Sequence, residues 1–593
     1  MEPNRRNPYT EKDRILRYAG LPSNPALVAA TCPHLMKIRE LQVLRNIGRH
    51  RIIDLWNEKH DRPGPSIRAK ILEIVRNSGL AWHAIDLLRI GPNEAPCGCD
   101  GRKDDWPATL FITVERKSAK WEDAHAVAVQ CQRMLRLHGI RDIECEVKDG
   151  EFLTREHHKL EPNITNSKIL SPEQQFEKDG RYYPASLHPW ISPRDDQSEH
   201  GGKGLYLRLR SDWHEDKTVL LTSRQVVFPR DDVKTGKLYQ YSEITAESAT
   251  HMTGISARRV DKESLWRKNE VNKFKVVQPQ NLDDFTELRD RRAPQIPVLR
   301  KPGNRSKQKP KPGSHVDHGA AGIDPGRSQV VTLQGERSSV GKDAIVTYSV
   351  DVPRPVEDPK MALINFLEQN VRSRSYDLGH VLFSPKFGLC KEHTHDPWVS
   401  DWALVELRKN SIPSAKLESL TNTVHVRPSS RWRESGWLDA EMYAMLHDPV
   451  PESELFRQRS EKEHLTLGMC GPEGTSYGTS NEAVSILRRC VGPECQMAIS
   501  YEWAIVSPIV FLGFARETDF GAFLWVAWPA GPEKGNESRR VAGMVTACLG
   551  ANNLDRSRVN ERPTADVTYA TPIERLLKHI ESCGFKVELE ASY

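Results

Sequence analysis

No stretch of this chain approaches the roughly 18 consecutive apolar residues of a membrane span, so a membrane is not an expected partner. The opening, MEPNRRNPYTEKDR, is polar and has no apolar signal core. Cysteine is thin: 11 in 593 residues, an odd number without framework spacing, which argues against a disulfide-stapled secreted scaffold. Excess charge is also missing. A net charge of +5 is small for this length and does not by itself require nucleic acid or an anionic surface. There is no dinucleotide fingerprint and no internal repeat. Gly471-Pro472-Glu473-Gly474 is glycine-rich, but no Lys-Ser/Thr follows it, so it is not a phosphate loop. These absences lead to the expectation of an intracellular protein, cytoplasmic or nuclear, with mostly reduced thiols and no cofactor.

The length exceeds one ordinary domain. Residues 1–155 read as a small α/β unit. Ser66 can cap a helix with Ile67, Ile71, Ile74 and Val75 on one face, ended by Asn77-Ser78-Gly79. Two extended runs follow, Ala84–Ile90 and Ala108–Val114. Then comes a helix around Asp123–His138, with Val127, Cys131, Met134 and Leu135 at helical spacing and Gly139 as its stop. Ile143, Cys145 and Val147 alternate as in a half-buried strand. This order predicts a small sheet with helices on one face.

From about residue 170 the texture changes to short strands punctuated by Gly and Pro. Leu205, Leu207 and Leu209 alternate, and Val219-Leu220-Leu221 and Trp402–Leu407 read as strands. Residues 293–327 interrupt this pattern with RKPGNRSKQKPKPG, which is basic, Pro-rich and without apolar anchors, and reads as a disordered insertion. Its Arg300, Lys301, Arg305, Lys307, Lys309 and Lys311 form the one nucleic-acid or import candidate, although a solvated loop is the plainer reading. Near the C-terminus, Thr571 as cap, Pro572 at the first helical position and Glu574 closing a capping box predict a helix with Ile573, Leu576, Leu577 and Ile580 buried.

Four phrases recur in a telling order. They are Leu220-Leu221-Thr222-Ser223-Arg224-Gln225-Val226-Val227-Phe228-Pro229; Asp401-Trp402-Ala403-Leu404-Val405-Glu406-Leu407; Thr518-Asp519-Phe520-Gly521-Ala522; and Thr568-Tyr569-Ala570-Thr571-Pro572-Ile573. Tyr501–Val506 precedes the third, and Gly474 and Gly478 fall in what reads as a Gly/Thr-rich turn. In order and spacing the chain resembles fungal trypsin-like serine protease-like proteins. The resemblance implies an α+β chain: a mainly β double barrel of the trypsin type preceded by a small N-terminal α/β domain. On that reading barrel one spans 165–292 and 328–410, split by the 293–327 insertion, and 411–593 form barrel two with the closing helix.

The same resemblance assigns three positions in the order base, orienting carboxylate, nucleophile. Gln225 stands at the base, Asp401 at the carboxylate and Phe520 at the nucleophile. An amide has no basic lone pair near neutral pH, and a benzyl group has no proton to give up. Thr518 replaces a glycine of the oxyanion loop, Ala522 replaces a small polar residue, and Asp519 and Gly521 remain as its remnant. Loss of one triad member typically removes roughly a millionfold in turnover, and here two are gone. The implied protein is a pseudoprotease with a binding or scaffolding role, holding a peptide or protein in the former cleft. An active endopeptidase with an unrecognised nucleophile is the enzymatic alternative. For it, His380 in a strand and Ser507 after Tyr501–Val506 are the weak candidates.

Cys390, His393 and His395, with Asp396 next, form a C-x2-H-x-H cluster without a fourth ligand at usual spacing. Cys97/Cys99 and Cys490/Cys495 lack second pairs. No metal is expected.

Overall fold

The helical spacing around residue 70 becomes a helix for the reasons its residues supply. Ser66 Oγ accepts the Ala69 N–H at 3.2 Å, Ile67, Ile71 and Val75 bury one stripe, and Gly79 leaves in the left-handed region. This helix, α1, is Ile67–Asn77. The second, α2, is Trp121–Leu137, with Val127, Cys131 and Leu135 buried and Gly139 at positive φ behind it. The third, α3, is Ile573–Ser582.

The computed structural model describes residues 7–32, 41–57, 65–92, 106–153, 190–193, 201–210, 217–228, 239–240, 275–277, 377–391, 396–407, 420, 422–426, 442–459, 464–471, 474–491, 496–528, 539–550 and 565–589. They all belong to one compact unit. The 293–327 insertion lies outside them, as do Cys97, Cys99, His393, His395 and Cys495.

Among the described residues the chain is mostly β. The strands of the N-terminal region are β1 (Leu27–Ala30), β2 (Gln42–Arg45), β3 (Trp82–Pro92), β4 (Ala108–Val114), β5 (Ile143–Asp149) and β6 (Glu151–Phe152). Next come β7 (Trp190–Pro193), β8 (Gly201–Gly202), β9 (Leu205–Arg210), β10 (Lys217–Thr222), β11 (Tyr239–Gln240), β12 (Lys275–Val277), β13 (Asp377–Ser384), β14 (Gly388–Cys390), β15 (Trp398–Ser400) and β16 (Ala403–Leu407). The remainder are β17 (Thr423–Val426), β18 (Met442–Pro449), β19 (Thr466–Gly471), β20 (Gly474–Ser480), β21 (Ser485–Val491), β22 (Gln496–Val506), β23 (Phe523–Trp528), β24 (Arg539–Gly550), β25 (Val567–Pro572) and β26 (Lys586–Leu589).

β1, β5, β4 and β3 lie side by side, with β4 and β5 parallel and the other neighbours antiparallel. The stripes of α1 and α2 pack on one face with Ile85, Leu110, Ile112 and Val147. The opposite face, including Ala84, Leu88 and Phe111, packs on Ala504, Val506, Ala547 and Tyr569. β3 also pairs with β21, Ile85 opposite Ile486, so this sheet continues into the C-terminal segment as one mixed sheet of fifteen described strands. A second sheet of nine runs β26-β9-β10-β16-β13-β12-β7-β8, with β11 on β13. In β9 the expected alternation gives way to burial of three successive residues, Leu205, Tyr206 and Leu207, all within the large core.

Two local readings are corrected. Thr571 does not cap α3. It is spent in β25, opposite Met544, and the helix starts only at Ile573. The Glu574 carboxylate instead accepts the Glu452 N–H at 2.6 Å and pairs with Lys578 at 2.7 Å. Gly474 and Gly478 are not in a turn but in β20, where a Cβ on Gly478 would meet the Phe514 ring at 2.7 Å.

Buried polar groups tie the two halves of the large sheet. Asp86 accepts from Ser485 Oγ at 2.6 Å and from Tyr569 OH at 3.1 Å. Glu482, in the β20–β21 link, accepts Asn46 Nδ2 at 2.9 Å and the Gly48 N–H at 3.1 Å. Burial pushes its carboxyl up to about 7. The folded state therefore keeps a proton that the unfolded chain releases near 4.5. Stability should fall by about 2–3 kcal/mol as pH rises between those values and then level off. Glu482→Gln should flatten that slope, read from urea midpoints at about pH 5 and about pH 8. An unchanged slope would assign it elsewhere.

Candidate functional site

The pairing of β10 with β16, Thr222 opposite Ala403, brings the end of one strand beside the start of the other. Past Thr222 the chain turns into a single helical turn, Arg224–Val227. It is capped by Ser223, whose hydroxyl accepts the Gln225 N–H at 3.2 Å. Just ahead of β16 sits Asp401, fully buried. Its Oδ2 accepts from Ser223 Oγ at 2.9 Å and from Gln225 Nε2 at 2.5 Å, and its Oδ1 accepts the Gln225 N–H at 3.2 Å. Gln225 and Asp401 are thus in direct contact through side chain and main chain alike.

Phe520 comes to the same place from the other sheet. Glu517–Asp519 form one 3₁₀ turn, and Phe520 follows it, 2% exposed. The Phe520 carbonyl accepts the Gly202 N–H at 2.8 Å, while Thr222 Oγ1 donates to the Gly202 carbonyl at 2.9 Å. Gly521 has φ +83, and a Cβ there would lie 2.6 Å from Thr222 Oγ1 and 3.0 Å from the Ser223 nitrogen. Only glycine fits this approach and this backbone. A Cβ on Gly202 would meet the Ala522 nitrogen at 2.4 Å. The Phe520 turn is therefore packed on the Thr222–Ser223 corner that presents Gln225 to Asp401.

The main chain of this turn is committed internally. Asp519 N–H donates to the Arg516 carbonyl at 3.0 Å, Gly521 N–H to the Val545 carbonyl at 3.0 Å, and Ala522 N–H to the Asp519 carbonyl at 2.9 Å. Asp519 is buried, and its Oδ2 accepts the Arg516 N–H at 2.8 Å. Thr518 is buried beside it, and its hydroxyl has no partner among the described residues. Gln225 and Phe520 bring an amide and a benzyl ring, neither of which takes a proton or attacks a carbonyl. The Asp401 carboxylate accepts the Ser223 hydroxyl, with no imidazole against either among the described residues.

The other sequence candidates lie apart. His380 is on β13 opposite Glu406, its Nε2 3.8 Å from the Glu406 carboxylate, at the far end of β16 from Asp401. Ser507 follows β22 and accepts the Ile509 N–H at 3.3 Å. Neither Ser223 nor Ser507 has an imidazole partner among the described residues. Cys390 is buried on β14, and Asp396 is held by Arg68 Nη2 at 2.7 Å. No group of three or more His, Cys, Asp or Glu side chains able to hold a metal occurs among the described residues. Cys490 is disulfide-bonded.

Two side-chain contacts escaped the sequence reading. Trp402 donates its indole N–H to His579 Nδ1 at 3.0 Å, tying the lead of β16 to α3. Lys203, between Gly202 and Gly204, is buried with its ammonium 5.1 Å from the centre of the Tyr206 ring. Burial lowers it to about 7, so above that pH it is neutral in the fold while the unfolded chain keeps its proton to 10.5. Stability should rise with pH across that window, and Lys203→Met should remove the rise in urea titrations. A rise that persists would place its origin in another group. The surrounding Gly-Gly-Lys-Gly was the sole sequence signal, and a lysine among glycines reads as loop.

No helix among the described residues is long and apolar enough to cross a membrane. Scanned against family models and searched against curated proteins, the chain returns no match.

Proposed function

We propose that this is a serine protease-like protein of the trypsin-like, double-barrel type that has lost hydrolysis and works by binding. The observation that carries the reading is the junction of Gln225, Asp401 and the Phe520 turn. A carboxylate is buried to orient a neighbour, and the neighbour is an amide. The nucleophile position is a buried ring. The carboxylate is kept by structure: three donors converge on it, so its loss would orphan buried groups. The partner class this reading favours is a peptide or protein held in extended form.

Treatment of the purified chain with a fluorophosphonate tests the reading. No serine should be labelled in the folded protein. Labelling at any serine that disappears on unfolding would restore the enzyme.

A further inference from the structure

β24 is the longest strand of the described structure, and its two hydrogen-bonding sides differ. β25 covers one side from Gly543 to Leu549. β23 covers the other only as far as Met544. From Val545 onward that second side belongs to two short pieces. The first is the Phe520 turn: Val545 N–H donates to the Ala522 carbonyl at 3.0 Å, and its carbonyl accepts Gly521 N–H. The second is β6. Phe152 lies opposite Leu549 and Glu151 opposite Gly550, antiparallel, and Leu153 N–H donates to the Cys548 carbonyl at 2.8 Å.

β6 pairs with no other strand in this sheet. It arrives directly from β5 through Gly150, whose N–H donates to the Val114 carbonyl at 2.9 Å. The Phe152 ring stands edge-on to Tyr569 and His83, with centroids 6.4 and 5.5 Å away. Leu153 is buried in the same core as Phe520. Because the pairing is antiparallel, the chain from Glu151 to Leu153 advances along β24 from Gly550 toward Val545, the residue that braces the Phe520 turn. A segment of the N-terminal region thus fills a sheet edge that ends at the altered site. A main-chain ladder with an aromatic seat is the equipment for taking an extended peptide.

We propose that this half of β24 is the docking edge for an extended peptide and that Glu151–Leu153 is its resident occupant, a strand in cis that a peptide in trans must displace. The favoured incoming sequence has the resident's chemistry: acidic, aromatic, aliphatic. The inference rests on the binding role proposed above, but not on the loss of hydrolysis, since fluorophosphonate labelling reads serine chemistry and peptide affinity reads the edge.

The test uses the full chain and a fluorescent peptide of residues 150–156, Gly-Glu-Phe-Leu-Thr-Arg-Glu. Leu153→Pro removes the N–H given to Cys548, and Phe152→Ala removes the ring between Tyr569 and His83. Either variant should bind the peptide at least tenfold more tightly than wild type by anisotropy, and a scrambled peptide should show no gain. Equal affinity for all three proteins, or no binding to any folded variant, overturns the proposal. Should Leu153→Pro fail to fold, Phe152→Ala carries the comparison together with amide exchange in the wild type. There the peptide in excess should speed exchange at Leu153 about tenfold, and unchanged exchange overturns the proposal.

Discussion

Asp401→Ala should lower the unfolding free energy by about 2–4 kcal/mol, because it leaves the buried Ser223 Oγ and the half-buried Gln225 Nε2 without the acceptor they share and empties a fully buried position. The Gln225 N–H suffers less, since Ser223 Oγ still accepts it. Asp401→Asn discriminates further. Both carboxylate oxygens accept bonds, so an amide can serve one side and must turn its NH₂ toward donors on the other. That variant should cost about 1–3 kcal/mol, less than alanine and more than nothing. Urea unfolding followed by tryptophan fluorescence reads both. If both variants unfold where wild type does, the carboxylate is idle and the account of the junction fails. In a working hydrolase, loss of the orienting carboxylate would show mainly in turnover. Here the expected signature is stability.

The elements that follow from local pattern were legible in advance. α1 and α2 show their stripes within eleven to seventeen residues, and glycines stand behind both. That position 225 carries an amide and position 520 a benzyl ring was legible because side-chain chemistry is written in single letters. What stayed hidden is non-local or made by the main chain. Asp86 and Ser485 are 399 residues apart, and no periodicity connects them. Thr571 has the spelling of a cap, but the β24–β25 ladder claims it first. β6 is two residues long, too short for alternation to register, yet it decides who occupies the β24 edge. The N–H groups of Asp519, Gly521 and Ala522 carry no sequence signal at all, and their partners Arg516, Asp519 and Val545 were needed to see that they are spent.

On the proposed reading, the buried Phe520 ring and its bonded turn set the outcome of placing a serine and a histidine at 520 and 225. Phe520→Ser should cost about 3–5 kcal/mol, the range for truncating a buried phenylalanine, because the ring is 2% exposed within the large core. Phe520→Leu, which keeps most of the volume, should cost less than about 1.5 kcal/mol. Neither that serine variant nor Gln225→His/Phe520→Ser should hydrolyse peptides above background in a fluorogenic assay. The double variant would hold a hydroxyl, an imidazole and Asp401, but an acyl transfer also needs N–H groups aimed at the developing oxyanion. The loss of even one such donor costs roughly a hundredfold to a thousandfold. In the triad template those donors are the N–H groups at the first and third positions of the phrase, here Thr518 and Phe520, and a buried threonine stands at the first in place of glycine. The turn around them is tied down, since the Asp519, Gly521 and Ala522 N–H groups and the Phe520 carbonyl are bonded inside the protein. A serine at 520 would also start inside the core that the ring now fills. A stable double variant with robust turnover would show the reverse: that the turn rearranges readily around a serine and that the ring alone keeps the site silent.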